Sequence, residues 1–439
     1  MPAAASAART RPLPRGRSRG SRAKAVVKPP LEYSILYTAT LCLMAAGAVM
    51  VYSASSAESL LGGTGDPAFY LKRYVIVGVI GLVVMQLCSR VDLKVLKHVT
   101  PFLLVAAFGL TVALHVPGFG VNINGATRWI GVAGFQFQPS EVLKLAVVLY
   151  AVQTLALRPQ ALRTLSGLCK PLLLVVGAAC LLLMVQPDLG TAMVIAFSVG
   201  ALLIAAGAKM RHLGLIVIVA VLLIGVLIVA EPYRRARLFA FIDPWGDPQG
   251  NGFQIVQSMI AMGSGGMFGV GLGESVQKIF YLPEAHTDMI LAIVGEEVGV
   301  LGVSVLVALY GMIAYAGLRA AKAARERYQA LLAAGLTSLI LCQATLNLFA
   351  VMGLAPLTGV PLPFVSYGLT NMVVLLIGMG FLLNVASGRS STARKAARPK
   401  QPRLRVVKGD ATGDTRGDSR RRDGRSRGPG TGRGRRAAG

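Results

Sequence analysis

Long apolar segments recur along this chain, and they constrain its fold more than any other feature. Short polar connections separate them, and hydrophobic residues make up 54% of the 439 residues. Inside a lipid bilayer the backbone finds no water to bond, so spanning segments fold as helices or as closed β-barrels. Barrel strands alternate apolar and polar residues, and these segments do not. The sequence therefore predicts an all-α polytopic membrane protein, a bundle of about ten transmembrane helices.

The candidate spans are defined by continuous apolar composition. They are Ser34–Tyr52, Tyr74–Cys88, Pro101–His115, Val142–Leu157, Pro171–Val185, Thr191–Ala206, Leu213–Ala230, Met289–Leu318, Leu331–Met352 and Met372–Val385. Several are shorter than the roughly 20 residues that cross a bilayer. We therefore expect those helices to extend into the flanking residues.

Basic residues in the short connections indicate the orientation. The connections that would lie inside are basic, with Arg90, Lys94 and Lys97, then Arg158, Arg163 and Lys170, then Lys209 and Arg211, then Arg319, Lys322, Arg325 and Arg327. Lys and Arg are retained on the cytoplasmic side of a bacterial membrane. We therefore expect a multi-pass protein of the cytoplasmic membrane with both termini inside. One long extracytoplasmic loop, Glu231 to Thr287, then joins spans seven and eight.

The net charge of +26 is concentrated at the two ends of the chain. We predict a basic disordered cytoplasmic arm over 1–33, a transmembrane domain over 34–387 and a basic disordered tail over 388–439, since both ends lack the apolar residues needed to fold. No aromatic residue interleaves the basic groups of the tail, which disfavours a nucleic-acid partner. Attraction to anionic membrane lipid is the favoured interpretation.

None of the five cysteines forms a CxxC pair, so we expect neither disulfides nor a zinc site.

The long loop contains a glycine-rich stretch, 263–273. It matches neither the Walker pattern nor the dinucleotide-binding fingerprint, which argues against nucleotide binding. Its glycines are better suited to close packing of a re-entrant or membrane-hugging segment.

Asp288 stands where this loop enters the eighth span. One interpretation is structural, because an Asp at this position suits a helix N-cap or a partner of the helix dipole. The other is a general base in a partly dehydrated cavity, with its pKa raised toward neutrality. Position alone does not decide between them.

Other charged residues also lie in or beside the spans. Glu296 and Glu297, deeper in the same helix, are expected to make structural helix–helix hydrogen bonds. Glu141 and Lys144 share one face of the fourth span, where they either neutralise each other or hold an anionic lipid head. Arg128 suits either an interfacial anchor or a pyrophosphate contact.

Five motifs taken together resemble the SEDS family (shape, elongation, division and sporulation). They are Gln138-Pro-Ser-Glu-Val-Leu-Lys144, Gln186-Pro-Asp-Leu-Gly-Thr191, Tyr281-Leu-Pro-Glu-Ala-His-Thr-Asp288, Gly295-Glu-Glu-Val-Gly299 and Pro361-Leu-Pro-Phe-Val-Ser-Tyr-Gly368. The resemblance covers roughly Ser34 to Val385. Motifs such as Asp243-Pro-Trp and Asp247-Pro-Gln-Gly are more similar to the division branch, FtsW, than to the elongation branch, RodA. One departure is Leu369-Thr370-Asn371, where the family usually has Gly-Ser-Ser, and it puts a close helix contact there in doubt.

The resemblance implies a peptidoglycan glycosyltransferase that polymerises lipid II and releases undecaprenyl pyrophosphate. It implies that Asp288 is the catalytic base and that the substrate-binding residues are Glu141, Lys144, Arg128, His286, Lys278 and Ser366. A divalent metal ion, Mg or Mn, with ligands unknown, is implied at the leaving group. The implied partners are a class B penicillin-binding protein and other division proteins, at the division septum. A lipid II flippase and a non-catalytic scaffold are rival interpretations.

Overall fold

A computed structural model describes residues 30–61, 65–116, 120–123, 126–132, 135–279 and 281–388 of the protein. The predicted basic arm and tail lie almost entirely outside these residues. The α-helices of the described residues are α1 Leu31–Leu61, α2 Phe69–Cys88, α3 Leu93–Ala113, α4 Pro139–Leu157, α5 Leu165–Leu168, α6 Leu174–Val185, α7 Leu189–Ala206, α8 Met210–Ala230, α9 Pro232–Ile242, α10 Phe253–Ser264, α11 Ile290–Ala323, α12 Arg327–Val351 and α13 Leu369–Ala386.

Each of the ten predicted spans coincides with an apolar helix. Eight helices in the described part of the chain are long and apolar enough to cross a membrane, namely α1, α2, α3, α4, α7, α11, α12 and α13. Two further apolar stretches, Leu174–Val185 and Met210–Val226, are shorter. The prediction of an all-α polytopic membrane protein is confirmed. Several helices extend beyond the predicted bounds, as α1 does by about two and a half turns at its C-terminal end.

The core of the bundle is formed by α4, α11, α12 and α13, whose apolar residues are mostly buried. Helices α2, α3 and α8 instead expose rows of large apolar side chains. In a membrane protein such rows face the acyl chains. The buried helices are the ones that carry polar side chains into the protein interior, where each polar group must find a partner.

A small antiparallel sheet was not predicted. In the connection between α3 and α4, β1 (Val121–Ile123), β2 (Ala126–Val132) and β3 (Phe135–Phe137) pair in sequence order. Ile130 lies opposite Phe137, and Val132 lies opposite Phe135. β1 and β3 have three residues each, and the seven residues of β2 do not alternate strictly between apolar and polar, so the pattern that identifies a strand in a sequence is missing. The sheet leads directly into Pro139, the first residue of α4.

The long loop between α8 and α11 is partly helical, which the sequence analysis did not predict. It contains α9, a 3₁₀ turn over Pro244–Gly246, and α10. Its glycine-rich part packs against α11 where that helix is broken at Gly299, with φ +71°. The backbone N–H groups of Val270 and Gly271 donate to the carbonyls of Glu296 and Glu297. The close packing expected of these glycines is therefore present.

Candidate active site

Asp288 lies two residues before the first residue of α11. The N-cap of this helix is Met289, and no side chain makes a capping hydrogen bond there. The carboxylate of Asp288 instead accepts from the hydroxyl of Thr287 at 3.3 Å. The capping interpretation therefore lacks its defining contact.

The pKa of Asp288 is raised to about 7. Burial of the carboxyl group is the larger cause and the negative charge of Glu284 is the second, while the charge of Arg237 acts weakly in the opposite direction. Part of the residue still reaches the surface. A carboxyl group that is desolvated, accessible and half-ionised near neutral pH has the properties of a general base.

The connection between α12 and α13, residues 352–368, lies beside Asp288. A side chain added at Gly359 would lie 3.8 Å from Oδ2 of Asp288. Asn347 joins the two segments, because its amide Nδ2 donates to the backbone carbonyl of Asp288 at 2.7 Å and to that of Val360 at 2.8 Å. Asn347 is buried. The Asn347 side chain therefore fixes the position of the Asp288 backbone relative to the 352–368 connection.

Two tyrosines hold the same connection from the bundle side. Tyr310 donates its hydroxyl to the carbonyl of Pro363 at 2.6 Å, and Tyr74 donates to that of Phe364 at 2.6 Å. Phe364 is buried and has a left-handed backbone, φ +64°. Ser366, a predicted substrate-binding residue, is buried and accepts from the backbone N–H of Leu362 at 2.8 Å. Its visible role is to close this turn, and its role in binding stays a prediction.

His286 belongs to an aromatic cluster two residues before Asp288. Its Nδ1 lies 3.1 Å from Oε2 of Glu58 on α1. Its ring centroid lies 4.4 Å from that of Tyr70, and its backbone carbonyl accepts from the N–H of Tyr367. His286 thus links the segment that carries Asp288 to α1, α2 and the 352–368 connection.

Glu141 and Lys144 form the predicted pair, with 2.7 Å between Oε2 and Nζ and both side chains buried. The ammonium group of Lys144 also donates to Gln343 at 2.6 Å and to Asn371 at 3.2 Å. Gln343 in turn donates to the carbonyl of Pro361 at 2.8 Å. Mutual neutralisation is therefore supported by the geometry, and the network also anchors the 352–368 connection.

The departure from the family motif at Leu369-Thr370-Asn371 does not remove the helix contact that it put in doubt. Asn371 accepts from Lys144, and Thr370 accepts from the N–H of Gln138 at 3.3 Å. Both residues are buried. The start of α13 is therefore hydrogen-bonded to the start of α4.

Arg128, on β2, holds the turn that begins α7. Its guanidinium donates to the carbonyls of Gln186 at 3.0 Å and Pro187 at 2.6 Å. Asp188 follows and caps α7 by accepting from the N–H of Thr191. A side chain at Gly190 would collide with the carbonyl of Thr358. The turn therefore packs directly against the connection that faces Asp288.

Lys278 is buried in an ion pair rather than open to a ligand. Its ammonium lies 2.9 Å from Oε1 of Glu297 and also donates to the carbonyl of Gly273 at 2.6 Å. Glu297 accepts from Ser53 on α1, and Glu296 accepts from Ser275. These contacts support a structural role for both glutamates, but only Glu297 makes the predicted helix–helix hydrogen bond, because Ser275 lies in the long loop. The binding role of Lys278 stays a prediction that its buried position does not favour.

The sequence analysis did not single out Arg237, the cation whose charge lowers the pKa of Asp288. A cleft of about 250 Å³, here called the Arg237 cleft, is lined by Arg237, Ala240, Gly250, Asn251, Phe253, Gln254, Ile255, Pro283 and Leu357. Arg237 donates to the carbonyl of Leu357 at 3.3 Å. No spacing distinguishes this arginine from its neighbours in the sequence. Gln343 and Asn347 could have been identified from the sequence. Polar residues four positions apart inside an apolar span lie on one face of the helix, and that face is expected to point into the protein.

The described residues offer no preassembled metal site. Nowhere in them do three or more His, Cys, Asp or Glu side chains lie together as a ligand set. The described cysteines, Cys42, Cys88, Cys180 and Cys342, are free.

Comparisons with known proteins show related sequences and related folds. A probable peptidoglycan glycosyltransferase FtsW of Thioalkalivibrio sulfidiphilus is 43% identical over 80% of this chain and 88% of its own length. A solved chain described under "structural coordination of polymerization and crosslinking by a peptidoglycan synthase complex" has a TM-score of 0.66 and 30% identity, covering 81% of this chain and 97% of that one. The rod shape determining protein RodA of Thermus thermophilus has a TM-score of 0.58 and 26% identity, covering 81% and 96%.

The family model for cell cycle proteins of the FtsW, RodA and SpoVE type matches residues 33–391. This match includes every candidate site residue and all ten apolar helices. The chain is therefore a member of the FtsW/RodA/SpoVE family of cell cycle proteins, and a multi-pass membrane protein.

Proposed function

We propose that this protein is a peptidoglycan glycosyltransferase that polymerises lipid II at the outer face of the cytoplasmic membrane, in its division-type role. The observation that carries the proposal is the state of Asp288. Its pKa is raised to about 7, it makes no helix cap, and three separate elements fix its position. The relatives named as FtsW glycosyltransferases support the same assignment.

Asp288 would act as general base on the attacking sugar. The 4-hydroxyl oxygen of one lipid II attacks the anomeric carbon of the growing strand, and the proton of that hydroxyl passes to the Asp288 carboxylate. The bond between the anomeric carbon and the pyrophosphate oxygen breaks, and its electron pair leaves with undecaprenyl pyrophosphate. A base with a pKa near the working pH combines a sufficient ionised fraction with sufficient basicity.

Arg237 is the cation that the structure offers to the leaving group. It lines a cleft next to the segment of Asp288, and its guanidinium geometry suits phosphate oxygens. A divalent ion, Mg or Mn, would supply further charge neutralisation. Mg²⁺ is commonly held by one or two carboxylates together with substrate phosphates, so we propose that it enters with the pyrophosphate.

The partner is proposed to be a class B penicillin-binding protein at the division septum. The structural neighbour from a peptidoglycan synthase complex supports a partner of this general kind. Polymerisation by this chain and crosslinking by such a partner are consecutive reactions on the same glycan, so their association would deliver a new strand directly to the transpeptidase.

The test is Asp288→Asn in purified protein supplied with lipid II, a divalent metal and the partner, with glycan length read on a gel. Asn keeps the shape of Asp and its ability to cap a helix, but it cannot accept the proton. We expect polymerisation to fall by about 100-fold or more with normal expression and membrane insertion.

Asp66→Asn is the matched control. Asp66 is partly exposed in the α1–α2 connection and pairs with Lys72 at 2.6 Å. Solvent screens an exposed pair of this kind, which therefore contributes little to stability, so this variant should retain full activity. Wild-type glycan synthesis by Asp288→Asn would overturn the mechanism, and a lipid II translocation assay on the same variant would then test the flippase interpretation.

A further inference from the structure

A second cavity lies at the opposite end of the bundle from Asp288. It has a volume of about 370 Å³ and is lined by Lys97, His98, Gln153, Ala156, Leu157, Glu326 and Tyr328. Three helix ends form it: the first turns of α3 and α12 and the last turns of α4. At about 1.5 Å per residue, Tyr328 lies roughly 28 Å along α12 from Asn347, which binds the Asp288 backbone. We call this cavity the Tyr328 pocket.

Two polar atoms in the Tyr328 pocket have no partner. The hydroxyl of Tyr328 and Oε1 of Gln153 are shielded from solvent and make no hydrogen bond. The Tyr328 side chain is 5% exposed. A buried donor or acceptor that is left unpaired destabilises the fold. Both residues line the same cavity, so a polar ligand that enters it and displaces these side chains slightly would supply the missing partners.

The charges of the pocket are one cation and one carboxylate. The ammonium of Lys97 lies 4.2 Å from the ring centroid of Tyr328, so it is held at the pocket. Glu326 supplies the carboxylate. The hydroxyl of Tyr328 adds a neutral donor, whereas His98 uses Nδ1 to donate to the backbone carbonyl of Lys94 at 2.8 Å. This set matches a zwitterion whose phosphate meets Lys97 and Tyr328 and whose ammonium meets Glu326 and Gln153.

The apolar rim indicates that the ligand is a lipid. Leu157, in the pocket lining, is 71% exposed, and Phe102, one turn beyond His98 on α3, is 76% exposed. These side chains belong to the surfaces that face the acyl chains. A headgroup in the pocket would therefore have its tails alongside apolar residues. Its volume lies within the range of about 300–1,000 Å³ typical of small-molecule sites.

We propose that the Tyr328 pocket binds the headgroup of a phospholipid with a primary ammonium, such as phosphatidylethanolamine, on the membrane face opposite Asp288. The lipid would join α3, α4 and α12, and α4 and α12 are the helices that carry Lys144 and Asn347 toward the active site. This inference does not depend on the proposed polymerase activity.

The experiment is native mass spectrometry of the full-length protein in detergent, with lipids added singly. Phosphatidylethanolamine should be retained about tenfold better than phosphatidylglycerol, which lacks the ammonium, and phosphatidylcholine, whose ammonium has no N–H. Tyr328→Phe and Gln153→Leu should each reduce that retention about three- to tenfold. Tyr328→Phe removes a single oxygen, so folding should be unaffected.

The matched control is Lys94→Met, because Lys94 is exposed one turn before Lys97 and does not line the pocket. Its lipid retention should equal that of the wild type. Equal retention of the three lipids, or retention that neither pocket variant changes, would overturn the proposal. Free phosphoethanolamine should compete only weakly, because it lacks acyl tails. If it displaced the lipid at a concentration equal to that of the lipid, the tails would contribute nothing to binding and the proposal of a lipid ligand would be overturned.

Discussion

Individual polar residues inside the bundle connect the spans to the segments around Asp288. Lys144, Gln343 and Asn347 are buried, and each donates to a group outside its own helix. A polar side chain in an apolar interior is stable only when it is hydrogen-bonded. Lys144 meets this requirement through Gln343 and Asn371 on neighbouring helices. Gln343 and Asn347 meet it by donating to carbonyls of the 352–368 connection, which faces Asp288.

The rate of polymerisation should depend on pH through Asp288. The active base is the carboxylate, and its pKa is raised to about 7, so kcat/KM for lipid II should rise as pH increases through about 7. Glu284→Gln removes a negative charge that raises this pKa. The rising limb of the pH profile should then move to lower pH. A profile with an unmoved limb in this variant would contradict the assignment of Asp288 as the titrating base.

Lys278 can be tested as a structural or a substrate-binding residue by a double substitution. Lys278→Met leaves the buried Glu297 carboxylate without its cation, which should destabilise the protein by about 3–5 kcal/mol. Adding Glu297→Gln removes the uncompensated charge, so thermal stability in detergent should largely recover. Polymerisation should recover with it. A stable double variant without activity would instead assign Lys278 to substrate binding.

At the scale of elements, the break in α11 determines how the long loop packs. At Gly299 the helix loses its regular hydrogen bonds, and the glycine-rich segment replaces them in both directions. Val300 and Leu301 donate to the carbonyls of Gly266 and Met267, while Glu296 and Glu297 supply carbonyls in return. Backbone can approach backbone this closely only where side chains are absent. The break therefore positions the loop relative to the first turns of α11, beside Asp288.

Gly269→Ala should disrupt that contact. Gly269 has φ +79°, and an added Cβ would collide with the carbonyl of Glu297. The left-handed backbone and the collision together should destabilise the protein by about 1–3 kcal/mol, seen as a lower melting temperature in detergent. Gly263→Ala, in exposed α10 with open space around it, should be neutral or slightly stabilising. Equal melting temperatures for the two variants would contradict the close approach.

At the scale of the whole molecule, the two ends of the bundle differ in chemistry. One end holds Asp288, the Arg237 cleft and the small sheet. The other holds the basic connections and the Tyr328 pocket. The same helices reach both ends, so orientation in the membrane decides which side carries the proposed polymerisation.

Single-cysteine labelling should establish this orientation. With the four described native cysteines and Cys169 replaced, Gln249→Cys in the long loop should react with an impermeant reagent in intact cells. Ala323→Cys, at the end of α11, should react only after permeabilisation. Both positions are exposed, so accessibility within the protein is matched. The reverse pattern would invert the topology and remove Asp288 from the side where polymerisation is proposed.

The sequence by itself determined the membrane class, the ten apolar helices, the Glu141–Lys144 pair and the importance of the segment ending at Asp288. These are local properties. An apolar run of spanning length, or charges three residues apart on one helix, has the same consequence wherever the segment lies in the fold.

Only the tertiary structure argues against the cap interpretation of Asp288, because the missing capping contact and the surroundings of its carboxyl group depend on residues such as Gly359, Asn347 and Glu284, which meet there from different parts of the chain or across a turn. Its role as a base stays a proposal. The tertiary structure likewise placed Lys278 against Glu297 and brought Arg237 to the cleft. The pKa of a carboxyl group and the partner of an ammonium group are set by what surrounds them in space. Contacts between residues far apart in the sequence leave no periodic pattern from which they could be predicted.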